Sequence, residues 1–240
     1  MASSTNNFDH IIVWLDQNVA ESDRYPIMKS AFRTTLDPDN AFPTSITEED
    51  VPNKIDDETI DQEANFHSIP FGFKLFDDLD KCYKFLLANA GKKRIFFITS
   101  GALGQSIVPR LLTMDPQVFQ DKNGELYKHS IYIFCANMTA HAEWAEEFLD
   151  LNCIQMGNDD RMVLFWLTRD IANYFVTKGK EELTKTDIAT IKQAYQDLTW
   201  GRSLYCKADS VKKGLPIDAL LREIDKLITE AEEKIKERED

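Results

Sequence analysis

Three stretches of the chain are apolar at nearly every position, and each runs into small or polar residues. His10-Ile11-Ile12-Val13-Trp14-Leu15 leads to Asp16-Gln17-Asn18, and Arg94-Ile95-Phe96-Phe97-Ile98-Thr99 leads to Ser100-Gly101. Ser130-Ile131-Tyr132-Ile133-Phe134-Cys135 leads to Asn137. Continuous β-branched and aromatic runs of this kind predict strands buried on both faces, as in a parallel sheet. Between them the period becomes helical. Phe76, Leu79, Tyr83, Leu86 and Leu87 mark one helix, with Gly91 where a C-terminal cap belongs. Ser106 is placed to cap the next, with Pro109 in its first turn. Asn123-Gly124 signals a turn before the third strand. Ala140, Trp144, Phe148 and Leu151 trace the apolar face of a further helix, and residues 152–156 form a short last strand.

Strand and helix alternate in this way over residues 8–157, which predicts an α/β fold with a doubly wound, mainly parallel sheet. Residues 18–33 carry a weaker helical pattern. Residues 37–65 interrupt it with Pro38, Pro43, Pro52 and eight acids between Glu48 and Glu63, and read as an acidic insertion. Such a loop is expected to be dispensable, so deleting 45–63 should leave the thermal transition nearly unchanged. From 160 to 240 the pattern becomes all-helical, with amphipathic stretches from Met162, from Ile188 and from Leu215. The last of these either caps the helices before it or leads into more repeats.

Composition narrows the function classes. The 240 residues are 43% hydrophobic with 15 Phe, 7 Tyr and 4 Trp, enough for a core without staples. Forty-one acids against 28 bases give a net charge of −13, which repels a phosphate backbone, so nucleic acid is not an expected partner. No apolar run reaches the length of a membrane span, and the polar start lacks a signal segment, so a soluble cytoplasmic protein without membrane association is expected. Cys82, Cys135, Cys153 and Cys206 form no CxxC pair and read as buried reduced thiols, with no zinc or other metal site.

Ligands of doubly wound sheets bind beyond the carboxyl ends of the strands, which singles out Asp16, Gln17, Ser100, Gly101, Gly104, Gln105 and Asn137 as a candidate crevice. The stretch from Ser100 to Ser106 leads into a helix N-terminus whose backbone N–H groups could cradle a phosphate or carboxylate, although it lacks the Walker lysine. Asp16 is similar to the strand-end acid of receiver domains, but Thr99-Ser100 stands where their phosphoacceptor Asp belongs. Cys135 and Ser100 occupy the strand ends that carry the nucleophile and histidine region in caspase-like folds. No His adjoins Ser100, and Cys135 reads as a core thiol with His141 on a helix surface or interface. No catalytic residue is assigned.

Tyr132 to Phe148, with Trp144-Ala145-Glu146-Glu147, resembles the strand, loop and Trp-containing helix of TIR domains, where a helix glutamate can act in NAD cleavage. Here Phe148 holds that register, leaving Glu146 and Glu147 beside it. Ile12 to Asn18, Phe97 to Pro109 and Ile131 to His141 with Trp144-Ala145 together resemble something more specific. They are similar to an uncharacterised receiver-like or TIR-like N-terminal module of small-invertebrate multidomain proteins, found beside tetratricopeptide repeats or ADP-ribosyltransferase domains. No convincing Arg…Ser…Glu-x-Glu set of the transferase is evident, so its activity is not carried over. Phe175, Gly179, Ala194, Leu198 and Gly201 approximate a tetratricopeptide helix hairpin. These resemblances imply a noncatalytic signalling or scaffold module with protein partners and no cofactor. The competing reading is a TIR-like nucleotide-sensing or NAD-cleaving enzyme.

Overall fold

The computed structural model describes residues 8–19, 21, 24–34, 62–214 and 216–239. The chain divides into two compact units, Met1–Val163 and Leu164–Asp240. The first is a mixed α/β unit built on a seven-stranded sheet. Its central strand, β1 (His10–Leu15), is buried at all six positions, as its unbroken apolar run requires.

Strand β1 pairs in parallel with β4 (Ile69–Phe76) on one side and β5 (Arg94–Ser100) on the other. Next come β6 (Ile131–Phe134) and β7 (Ile154–Gly157), also parallel. Taken alone in chain order, the five parallel strands lie 2-1-3-4-5, and the order reverses between β1 and β5. Beyond β4 the sheet continues antiparallel through β3 (Gln62–Phe66) to β2 (Phe32–Thr34).

The two faces are packed differently. Ile11, Val13, Leu15, Ile95, Phe97, Ile131 and Ile133 meet residues of α2 (Leu79–Asn89) and α3 (Gly101–Met114), joined by Trp144 of α4 (Met138–Glu146). Across the other face runs a chain of rings: Trp14 to Phe32 at 5.9 Å between centroids, Phe32 to Phe73 at 4.8 Å and Phe71 to Phe96 at 6.1 Å. Tilted aromatic pairs at these separations add to the area they bury.

The sequence expectations need correction in four places. Among the described residues, 18–33 yield the single turn α1 (Pro26–Lys29) before β2, because a weak periodicity over a short segment does not nucleate a helix. The end of the expected insertion is strand: residues 37–61 lie outside the described residues, but Gln62–Phe66 is β3, so a deletion reaching 63 removes part of the sheet. The third correction is α3, which begins at Gly101 rather than after Ser106, leaving Pro109 inside the helix. The fourth is Cys206, which is exposed, while Cys82, Cys135 and Cys153 are buried and all four are free thiols.

Glycine explains the early start of α3. A Cβ at Gly101 would lie 2.9 Å from the Cys135 sulfur and 2.9 Å from the His141 ring, and one at Gly104 would lie 3.2 Å from Thr99 Cγ2. The helix therefore leaves the strand end directly and lies tight on the sheet.

The second unit holds three helices among its described residues. Helix α5 (Asp160–Leu183) begins in the first unit and supplies most of its length here, followed by α6 (Ile188–Val211) and α7 (Ile217–Glu239). Helices α5 and α6 interlock through reciprocal glycines. A Cβ on Gly179 would meet Leu198 Cγ at 2.7 Å, and one on Gly201 would meet Val176 Cγ2 at 2.6 Å. Asp197, fully buried on α6, is paired with Lys178 of α5 at 3.2 Å and accepts from Gln193 Nε2 at 2.9 Å. Helix α7 buries Ile224 and Ala231 and is tied down by Lys180–Glu223 and Arg202–Asp225. Among the described residues no helix is long and apolar enough to cross a membrane.

Two substitutions test this packing. Ile133→Ala should lower the unfolding free energy by about 2–5 kcal/mol in urea titrations, because Ile133 is fully buried between sheet and helices. Gly201→Val should cost about 1–3 kcal/mol by forcing α5 and α6 apart. A change within error for either contradicts the packing described.

Candidate functional site

The carboxyl ends of the parallel strands gather the residues singled out from sequence, and each has a definite place. Asp16 follows β1 and is 2% exposed. Its Oδ1 accepts the Asn18 backbone N–H at 2.7 Å and its Oδ2 accepts the Tyr25 hydroxyl at 2.8 Å. Both oxygens thus serve the loop that follows the strand. Gln17 is exposed in that loop. Ser100 is half-buried at the end of β5, Gly101 and Gly104 are buried against the sheet, and Gln105 is exposed on α3. Asn137 caps α4, its side-chain oxygen accepting the Ala140 N–H at 3.3 Å. The segment expected to form a phosphate cradle is helix, and its glycines face the protein rather than a ligand.

The structure brings Cys135 and His141 together at Gly101. Both lie against Gly101, at the point where a Cβ would sit. Their chemistry is that of a packed pair. Burial pushes the Cys135 thiol up from its ordinary value, against a smaller downward pull from the Asn137 backbone N–H. The Trp144 indole N–H donates to His141 Nδ1 at 3.3 Å. A general base for a thiol needs an available imidazole lone pair, and the one on Nδ1 is taken by Trp144. Glu146 and Glu147 are exposed.

A cleft of about 330 Å³ opens at the same edge of the sheet. Tyr25, Pro26 and Phe134 form an apolar wall, with the rings of Tyr25 and Phe134 edge-to-face at 5.0 Å. Arg24 lines the cleft as well and is paired with Glu21 at 3.2 Å. The remaining lining is Asn158 and Asp159, between β7 and α5, and Asp160, the first residue of α5. Asp159 Oδ1 accepts the Arg161 N–H at 2.8 Å, and Asp160 Oδ2 accepts the N–H groups of Ile27 and Met28 at 3.0 and 3.4 Å. Asp160 thereby caps α1 from across the cleft, a role no local spacing could announce.

Tyr25 is the hinge of this arrangement. It adopts the left-handed conformation at φ 54°, unusual for an aromatic residue, and that turn aims its hydroxyl at Asp16 and its ring at Trp14 and Phe134. Burial, and next the Asp16 carboxylate, push its phenol well above the usual tyrosine range. The sequence held one signal for this position, Pro26 at the start of a helix. Among the described residues no group of three or more His, Cys, Asp or Glu could hold a metal ion. No family model, curated protein or solved structure matches the chain.

Replacing Tyr25 by Phe leaves Asp16 Oδ2 short of a donor and should cost about 1–3 kcal/mol at neutral pH. The sign of the pH effect follows from linkage. Tyr25 is held protonated in the fold, so above about pH 10 the folded chain binds more protons than the unfolded one. Its contribution is complete below that pH and declines as pH rises further. The stability gap between wild type and Tyr25→Phe should accordingly narrow above about pH 10 in denaturant titrations, and a gap that widens there would contradict the assignment.

Proposed function

We propose that this chain is a noncatalytic signalling or scaffold module acting through protein partners in the cytoplasm. In this reading the first unit is a doubly wound receiver-like or TIR-like module and the second a tetratricopeptide-like hairpin closed by α7. The observation that carries the proposal is the state of Asp16. A catalytic or metal-holding strand-end acid needs an oxygen directed at substrate, whereas both oxygens of Asp16 are taken by Asn18 and Tyr25. The Cys135–His141 pair supports the same reading, since burial raises the Cys135 thiol and the Trp144 N–H occupies His141 Nδ1.

Charge weighs against a nucleotide. The net charge is −13, and the guanidinium that lines the cleft is paired with Glu21 and faces a wall holding two carboxylates. The reciprocal glycines let α5 and α6 approach closely, which supports reading them as a helix hairpin of the tetratricopeptide kind. Free buried thiols suit a reducing compartment.

Calorimetry with NAD, ATP and cyclic nucleotides at millimolar concentration tests the proposal, and no heat of binding is expected. NAD turnover that is lost in Glu146→Gln and Glu147→Gln would overturn it in favour of a TIR-like enzyme. Alkylation of Cys135 by iodoacetamide should be slower than that of the exposed Cys206; faster modification of Cys135 would mean an activated thiol and would count against a noncatalytic site.

A further inference from the structure

Resting on the scaffold reading, we propose that the cleft at the carboxyl edge of the sheet is a docking site for an arginine side chain of a protein partner. The cleft combines two kinds of surface that a guanidinium requires together. One is an aromatic wall, Tyr25 and Phe134, on which a planar cation stacks. The other is a pair of carboxylates on consecutive residues. Asp159 and Asp160 each spend one oxygen on backbone N–H groups, and their second oxygens make no hydrogen bond among the described residues. Asn158 adds an amide beside them.

Size and charge select the occupant. A volume of about 330 Å³ stands at the lower end of the range of ligand sites, suited to one long side chain and too small for a dinucleotide. Arg24, the one cation among the described lining residues, is paired with Glu21, so the local balance remains acidic. The whole chain, at −13, draws basic segments toward it and repels phosphates. Guanidinium fits better than ammonium because it stacks flat and bonds carboxylates with a fork of N–H groups.

The test is an NMR titration of the full chain with a blocked pentapeptide carrying a central arginine, compared with its lysine and citrulline counterparts and with free arginine. The arginine peptide should shift the backbone signals of Tyr25, Phe134 and Asn158, more tightly than the lysine peptide and less tightly as salt is raised. The uncharged citrulline peptide should produce no shift. Asp159→Asn keeps the oxygen that caps α5 and removes the charge, so the fold should persist while affinity falls by roughly five- to tenfold. Equal binding of the citrulline peptide, or unchanged affinity in Asp159→Asn, would overturn the proposal. Free arginine binding as tightly as the peptide would make this a small-ligand pocket and overturn the docking role. Peptide shifts confined to other surfaces would remove this site and leave the scaffold reading standing, whereas NAD or ATP seated in the cleft would overturn both.

Discussion

A strand paired in parallel on both sides has no wet face and no free edge, and β1 imposes that condition on the whole first unit. Its six residues must all be dry, so each face of the sheet has to be covered by something the chain supplies elsewhere. Helices α2 and α3 meet the odd-numbered side, and the ring chain that includes Trp14, Phe32 and Phe73 fills the even-numbered side. Parallel pairing also forces every connection to cross from one end of the sheet to the other. The carboxyl ends of β1, β5, β6 and β7 are thereby brought to a common edge, where the loops and helix starts accumulate.

What happens at that edge follows from satisfying backbone groups. Asp16, Asn137 and Asp160 are the kinds of residue that sequence analysis reads as potential chemistry, and each is spent on N–H groups that a strand end or helix start leaves open. The cleft exists where this accounting leaves oxygens over, at Asp159 and Asp160 beside two rings. The second unit meets similar demands by other means. A fully buried Asp197 is held by Lys178 and Gln193, and small residues let α5 and α6 approach closely. Helix α7 carries its apolar residues in a single stripe and charged residues over the rest, the pattern of a helix packed along one face.

The hairpin of β3 and β4 shows why part of the fold escaped a reading of the chain. Its two-residue turn is His67-Ser68, both in the left-handed region, where Asn-Gly or Asp-Gly is the usual signal. Gly72 and Lys74 break the apolar run of β4. In the fold Gly72 is required because a Cβ there would lie 2.8 Å from the His10 carbonyl oxygen, and Lys74 is buried with its ammonium 5.8 Å from the Phe85 ring centre. Both features record tertiary neighbours rather than local propensity, so they read as irregularities until the partner strand and helix are in place. The glycines of α3 misled in the same way, since close helix–sheet contact and a phosphate loop call for the same residue.

By itself the sequence determined the strands β1, β5 and β6, the helix after β4 and the all-helical segment from residue 160 onward, because hydrophobic periodicity is a local record of which residues must be dry. It also determined the acidic field of the chain, which depends only on composition. The strand order 2-1-3-4-5, the seating of Tyr25 on Asp16, the meeting of Cys135 with His141 and the capping of α1 by Asp160 were decided by tertiary structure alone. These are relations that no local period encodes, one of them a bond spanning 133 residues. Periodicity carries the burial of each residue but not the identity of its neighbour, and chemistry at a site is set by the neighbour.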